Sequence, residues 1–113
     1  MTERLPAHLE ASALLRLVAD NGGFATILRT GDADRGELLL LVTDRGVHVA
    51  CLERTRGMTG DYAWERVGPG ANADAQSVAK FTAKRVRFDE DLWLIELDIP
   101  QPERFIAETT AIG

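Results

Sequence analysis

The chain has 113 residues, 45% of them hydrophobic and 27% charged, with a formal net charge of −5. That profile fits one soluble globular domain over residues 1–113, long enough to bury a core without metal or disulfide staples, and it argues against disorder. The acidic balance counts against a general binder of nucleic acid or anionic membrane, and the lone Cys51 excludes an intrachain disulfide.

The first residues, Met1 to Pro6, lead into an amphipathic segment with no apolar leader, and no run is long enough to span a bilayer. A cytoplasmic protein without a membrane role is expected. Residues Pro6 to Asp20 are predicted to form a helix that stops at Asn21–Gly22–Gly23. Ala7, Ala11, Leu14, Leu15 and Val18 share one apolar face. Leu5, Leu9, Ala13 and Leu17 form a second row on the far side. A half-exposed helix on a monomer rarely needs both rows. Either the helix is wedged between other elements, or the second row meets a partner chain.

Four strand-like runs follow, Phe24–Thr30, Glu37–Asp44, Val47–Arg54 and Tyr62–Val67. Arg45–Gly46 signals a tight hairpin and Gly31–Asp–Ala–Asp–Arg–Gly36 a longer turn, so the strands should form an antiparallel meander. Leu38 to Val42 is apolar at both parities, which predicts a central strand covered on both faces. Tyr62, Trp64 and Arg66 alternate with Ala63, Glu65 and Val67, the pattern of an edge strand. Gly57–Met–Thr–Gly60 reads as a mobile loop.

After the break at Gly68–Pro–Gly70, Asn72 or Asp74 can cap a second helix over Ala73–Arg87. Its apolar face comprises Ala75, Val78, Phe81, Thr82 and Val86, with Phe88 at the end and Arg85 interrupting it. Leu92–Ile99 is the fifth strand. Trp93, Ile95, Leu97 and Ile99 make one apolar face, while Leu92 and Leu94 give way to Glu96 and Asp98 on the other. Pro100 and Pro102 end it, and Pro102 opens a short last helix through Ala107. The order α-β-β-β-β-α-β-α defines an α+β fold, a mostly antiparallel five-stranded sheet with helices packed on it. If the second helix runs back across the sheet, strand five lies outside strand one, in the order 5-1-2-3-4.

Several of these pieces, taken in order, resemble a family. They are Leu5–Pro–Ala–His–Leu–Glu–Ala–Ser–Ala–Leu14, Gly22–Gly–Phe–Ala–Thr26, Gly31–Asp–Ala–Asp–Arg–Gly36, Glu53–Arg54, Trp64 and Arg87–Phe–Asp–Glu–Asp–Leu–Trp–Leu–Ile–Glu–Leu97. Nearly end to end, the chain resembles the bacterial family known as domain of unknown function 1491, best represented in alphaproteobacteria. The resemblance implies a bacterial cytosolic protein. It implies no activity, cofactor or catalytic residue.

The residues themselves offer few chemical motifs. Asp32-x-Asp34 has the spacing of a weak calcium loop but lacks the later bidentate Glu, and Asp and Gly are good turn residues. His8 and His48 have no neighbouring Cys or His at zinc spacing, so no metal and no cofactor are expected. By simple alternation His48 and Cys51 face opposite sides of their strand, with His48 on the parity of Ala50, Leu52 and Arg54. A partly buried, hydrogen-bonded histidine and an inert buried thiol are then the expectation. No Gly-x-Ser-x-Gly, Gly-x-Gly-x-x-Gly or Walker loop is present.

Three surfaces remain. Leu9 and Leu17, with Tyr62, Trp64 and Arg66 on the predicted edge strand, form a candidate interaction surface, against which stands plain packing of the aromatics beneath the Gly57–Gly60 loop. Lys80, Lys84 and Arg87 form a basic helix edge able to bind an anion, although a solvated edge is commoner on an acidic chain. Arg85 needs a carboxylate, and the nearest along the chain are Asp89, Asp91 and Glu96, giving an expected structural ion pair between the second helix and strand five. The first functional reading is a non-catalytic protein-interaction or regulatory module acting as a homodimer. A small anionic-ligand or RNA-binding protein is the alternative. An enzyme ranks third, because no nucleophile, base or metal set is assembled.

Overall fold

The structure is a computed structural model that describes residues 5–56 and 62–110, with the side chains of 55, 56, 62, 63 and 110 left outside that description. The loop expected at Gly57–Gly60 therefore lies outside the described residues. Helix α1 (Ala7–Asp20) has no side-chain N-cap. Its first N–H groups, on Ala7 and His8, donate instead to the carbonyls of Asp34 and Ala33 at 3.2 and 2.9 Å. The 31–36 loop thus supplies the acceptors that every helix start lacks.

Strands β1 (Phe24–Arg29), β2 (Leu38–Asp44), β3 (Val47–Arg56) and β4 (Tyr62–Val67) precede helix α2 (Ala75–Phe88). Asp74 caps α2 by accepting the Ser77 N–H at 2.7 Å. Strand β5 (Trp93–Asp98) and helix α3 (Pro102–Thr110) complete the chain. The α+β class and the expected order of elements hold.

The five strands form one sheet in the order β1-β5-β2-β3-β4. Strand β5 pairs with β1, as expected, but from the inside. It inserts between β1 and β2 and runs parallel to β2, while the other three pairings are antiparallel. The expected order 5-1-2-3-4 is corrected accordingly, and the sheet is mixed. The physical reason lies in apolar surface. Both faces of β5 are apolar over Leu92–Ile95, as are both faces of β2, and two such strands bury each other best at the centre. Strand β1 is left at the edge with Phe24 and Leu28 exposed.

Helices α1 and α3 cover one face of the sheet. Their inner residues join Leu38, Leu40, Val42, Leu52, Trp93, Ile95 and Leu97 in one buried cluster. Helix α2 covers part of the other face, where Val78, Phe81 and Val86 pack on a smaller cluster of Leu39, Leu41, Cys51, Leu92 and Leu94. Phe88 was expected to close the inner face of α2; it is instead exposed at the helix end.

A one-residue bulge in β3 decides what faces α2. Val42 pairs with Ala50 and Thr43 with His48, so Val49 is the extra residue. The insertion flips the parity before it and brings His48 onto the same face as Cys51.

Candidate functional site

Three of the pieces that carry the family resemblance, the start of α1, the 31–36 loop and the turn into β5, meet at one structural junction. Arg29, at the end of β1, donates from Nη1 to the carbonyls of Glu90 and Leu92 at 2.9 and 2.8 Å. Trp93 Nε1 donates to Asp32 O at 2.8 Å, and Asp32 N to Asp91 O at 3.0 Å. A Cβ at Gly31 or Gly36 would overlap the Asp91 carbonyl oxygen, which accounts for glycine at both positions. The 31–36 loop is thereby locked between the α2–β5 turn and the start of α1.

Within that loop the turn reading of Asp32-x-Asp34 is the observed one. Asp32 Oδ1 accepts the N–H groups of Asp34 and Arg35 at 3.0 and 2.8 Å. The Arg35 and Asp34 N–H bonds hold its carboxyl below the ordinary value. No group of three His, Cys, Asp or Glu side chains able to hold a metal occurs among the described residues.

Arg85 does form an ion pair, but with Glu53 of β3, and its guanidinium lies 5.9 Å from the Phe81 ring centre. The expected partners at Asp89, Asp91 and Glu96 are corrected. Asp89 is occupied locally, accepting the Asp91 N–H at 3.1 Å, and Asp91 is exposed. Strand β3 lies under the last turns of α2 and presents Glu53 there, while Glu96 lies beside Ala75, Val78, Ala79 and Thr82 nearer the helix start. A second arginine pair went unforeseen. Arg54, only 8% exposed, bonds Glu10 of α1, comes within 4.0 Å of Glu37, and stacks 5.6 Å from the Trp64 ring centre. The signal that singled out Arg85, a guanidinium on an apolar parity, was present at Arg54 beside Ala50 and Leu52.

The three candidate surfaces separate in the structure. On β4, Trp64 is half-buried against the α1/α3 core, and Arg66 pairs with Glu103 of α3 at 2.6 Å. The side chain of Tyr62 lies outside the described residues. Lys80, Lys84 and Arg87 are exposed along α2. On α1, the inner face packs as expected, while Leu5, Leu9 and Leu17 are 54%, 47% and 48% exposed. Nothing among the described residues wedges against that second row.

His48 and Cys51 lie together beneath α2, with Sγ and Nε2 3.9 Å apart. The expectation of opposite sides fails because of the β3 bulge. The pair is nevertheless unsuited to nucleophilic chemistry. His48 Nε2 bonds the Pro69 carbonyl at 3.0 Å, and burial pushes the Cys51 thiol up to about 11, with Arg85 opposing.

Beside them runs a groove of about 330 Å³ between α2 and the sheet. Its floor includes Leu41, Thr43, His48 and Glu96, its wall is the small-residue side of α2 at Ala75, Val78, Ala79 and Thr82, and Leu28 closes the β1 side. It falls within the size range of small-molecule sites, though at the lower end.

These features define a small α+β protein held by backbone junctions and by one buried and one partly buried arginine pair. The chain belongs to the family described as protein of unknown function (DUF1491), which matches residues 5–107. It is similar to a crystal structure of a DUF1491 family protein from Caulobacter crescentus, with a TM-score of 0.73 and 25% identity over 84% of this chain and 88% of the other. An NMR structure of a DUF1491 family protein from the same organism gives 0.75 and 23% over 89% and 91%. A solution structure of a protein from A. tumefaciens gives 0.73 and 24% over 88% and 89%. Comparison with curated proteins finds no match.

Proposed function

We propose that this chain is a non-catalytic protein-interaction module of the bacterial cytoplasm that works as a homodimer, joined through the outer row of α1. The observation that carries the reading is the exposed row Leu9, Ala13 and Leu17 on a helix whose other face is already packed into the core, with Leu5 exposed just before its first turn. Residues four apart form the ridge that interdigitates in the commonest class of helix–helix packing. The row also reads large–small–large about Ala13. An antiparallel copy would set Leu9 against Leu17 of the second chain and Leu17 against its Leu9, with Ala13 on the two-fold axis allowing close approach.

Neither the central strand nor β4 calls for a second chain. The doubly apolar strand β2 is covered on both faces by helices of the same chain, and Trp64 and Arg66 are engaged within it. The α1 row therefore carries the proposal alone. Light scattering coupled to size exclusion at tens of micromolar should give twice the 12.4 kDa chain mass. The double substitution Leu9→Glu with Leu17→Glu should halve it and leave the circular dichroism unchanged. A wild-type chain that runs as a clean monomer removes the proposal.

A further inference from the structure

The groove under α2 has a lining whose polar groups share one property. His48 is bonded through Nε2 to a carbonyl oxygen, which can only accept, so Nε2 carries a hydrogen, and the tautomer this selects offers Nδ1 as an acceptor. Thr43 spends its hydroxyl hydrogen on Asp98 Oδ2 at 3.1 Å, and Thr82 spends its own on Ala79 O at 3.1 Å. Both hydroxyls retain only lone pairs. Glu96, half-buried on the floor, adds a carboxylate, and none of the ion pairs among the described residues includes it.

No Lys or Arg lines the groove among the described residues. Two arginines nearby in the fold are committed elsewhere, Arg29 to the Glu90 and Leu92 carbonyls and Arg85 to Glu53. The first turn of α2 would favour an anion at the groove's end, but the Asp74 carboxylate already occupies it. The remaining side chains are apolar, Leu28, Leu41, Ala73, Ala75, Val78 and Ala79, and the backbone N–H groups of Ala73 and of Gly46, which completes the lining, are spent on Gly70 O and Asp98 Oδ2.

We infer that this groove is a binding site for a small organic cation, an ammonium or guanidinium head on a short apolar body, with the head at Glu96 and the body against Leu28, Leu41 and Val78. A ligand rich in donors matches acceptors that have none of their own to offer. A carboxylate or phosphate would meet only lone pairs and a like charge. The volume of about 330 Å³ accommodates a small molecule and not a folded element.

The probes are n-butylammonium and propylguanidinium, with butyrate and n-butanol as matched anion and neutral. They are titrated into the isotope-labelled full chain and followed by NMR. Saturable shifts for the cations, centred on Leu41, Val78, Ala79 and the His48 ring, with no saturation by butyrate or butanol, are the expected result. Glu96→Gln should weaken cation binding at least tenfold while its spectrum keeps the wild-type dispersion. Ala79→Phe, which fills the groove from the exposed side of α2 and leaves the carboxylate in place, should abolish binding as well. Equal binding of butanol, unchanged affinity in Glu96→Gln, or no saturation by either cation would overturn the inference. None of these outcomes depends on the oligomeric state, so the dimer proposal stands or falls separately.

Discussion

The two faces of the sheet are held by different means. Beneath α1 and α3 lies a continuous buried cluster to which α1 contributes Ala7, Ala11 and Val18, and α3 contributes Phe105 and Ile106. Beneath α2 the cluster is small, and α2 has no fully buried residue of its own. There the helix is held by half-buried Val78, Phe81 and Val86, by the Arg85–Glu53 pair and by its Asp74 cap. The difference teaches a division of labour. The dense face fixes the fold, and the sparse face leaves room for a groove without endangering it.

Substitutions should separate the two faces. The largest effect belongs to Trp93→Ala on the dense face, which empties a buried aromatic site and frees the Asp32 carbonyl it bonds at 2.8 Å. A loss of about 4 kcal/mol in denaturant unfolding is expected. Next is Glu10→Ala, which removes the carboxylate bonded to the buried Arg54 guanidinium, the nearer of two that face it, the other being Glu37 at 4.0 Å. That should cost about 3 kcal/mol. On the sparse face, Val78→Ala should cost about 1 kcal/mol, since the side chain is only partly buried. Smallest is Glu53→Gln, because the Arg85 pair is about a quarter exposed and water shares in solvating both charges; a change under about 1 kcal/mol is expected. If Val78→Ala proved as costly as Trp93→Ala, the contrast between the faces would be wrong.

A pH measurement sharpens the comparison at the sheet's end. Asp98 accepts the Gly46 and Arg45 N–H groups at 2.9 and 3.1 Å and the Thr43 hydroxyl at 3.1 Å, clasping the β2–β3 turn. Burial alone would raise its carboxyl, but these bonds outweigh it and hold the group below the ordinary value. A depressed carboxyl contributes stability fully above its unfolded pKa, about 3.9, and loses it as pH falls through the lower folded value. Asp98→Asn should therefore flatten the acid limb of the stability profile without moving the neutral plateau further than a lost turn clasp allows. An unchanged acid limb would remove Asp98 from that role.

Much of this was legible in the sequence. Helix faces and strand bounds follow from periodicity, and the apolar row Leu5–Leu9–Ala13–Leu17 is readable on a helical wheel. The position of β5 was only half legible. Its doubly apolar start marks a central strand, but short loops report neighbours and not insertions from afar. The shared side of His48 and Cys51 was hidden because a single bulged residue, Val49, reverses parity without a glycine to announce it. The partner of Arg85 was hidden because Glu53 lies 32 residues away, and chain proximity pointed to β5. The groove was illegible for the same reason. Its lining comes from five elements and the loops beside them, and no local pattern joins Leu28 to Glu96 and His48.

The proposed dimer is tested most directly at its axis. A cysteine placed by Ala13→Cys should meet its own copy across the two-fold, while one placed by Ala83→Cys on the exposed side of α2 should not. Cys51 can stay in place, because it is buried and its thiol is pushed up to about 11. Under mild oxidation at low micromolar concentration, the Ala13→Cys chain should convert to a disulfide-linked dimer and the Ala83→Cys chain should remain single. Equal, slow cross-linking of both would contradict the α1 interface.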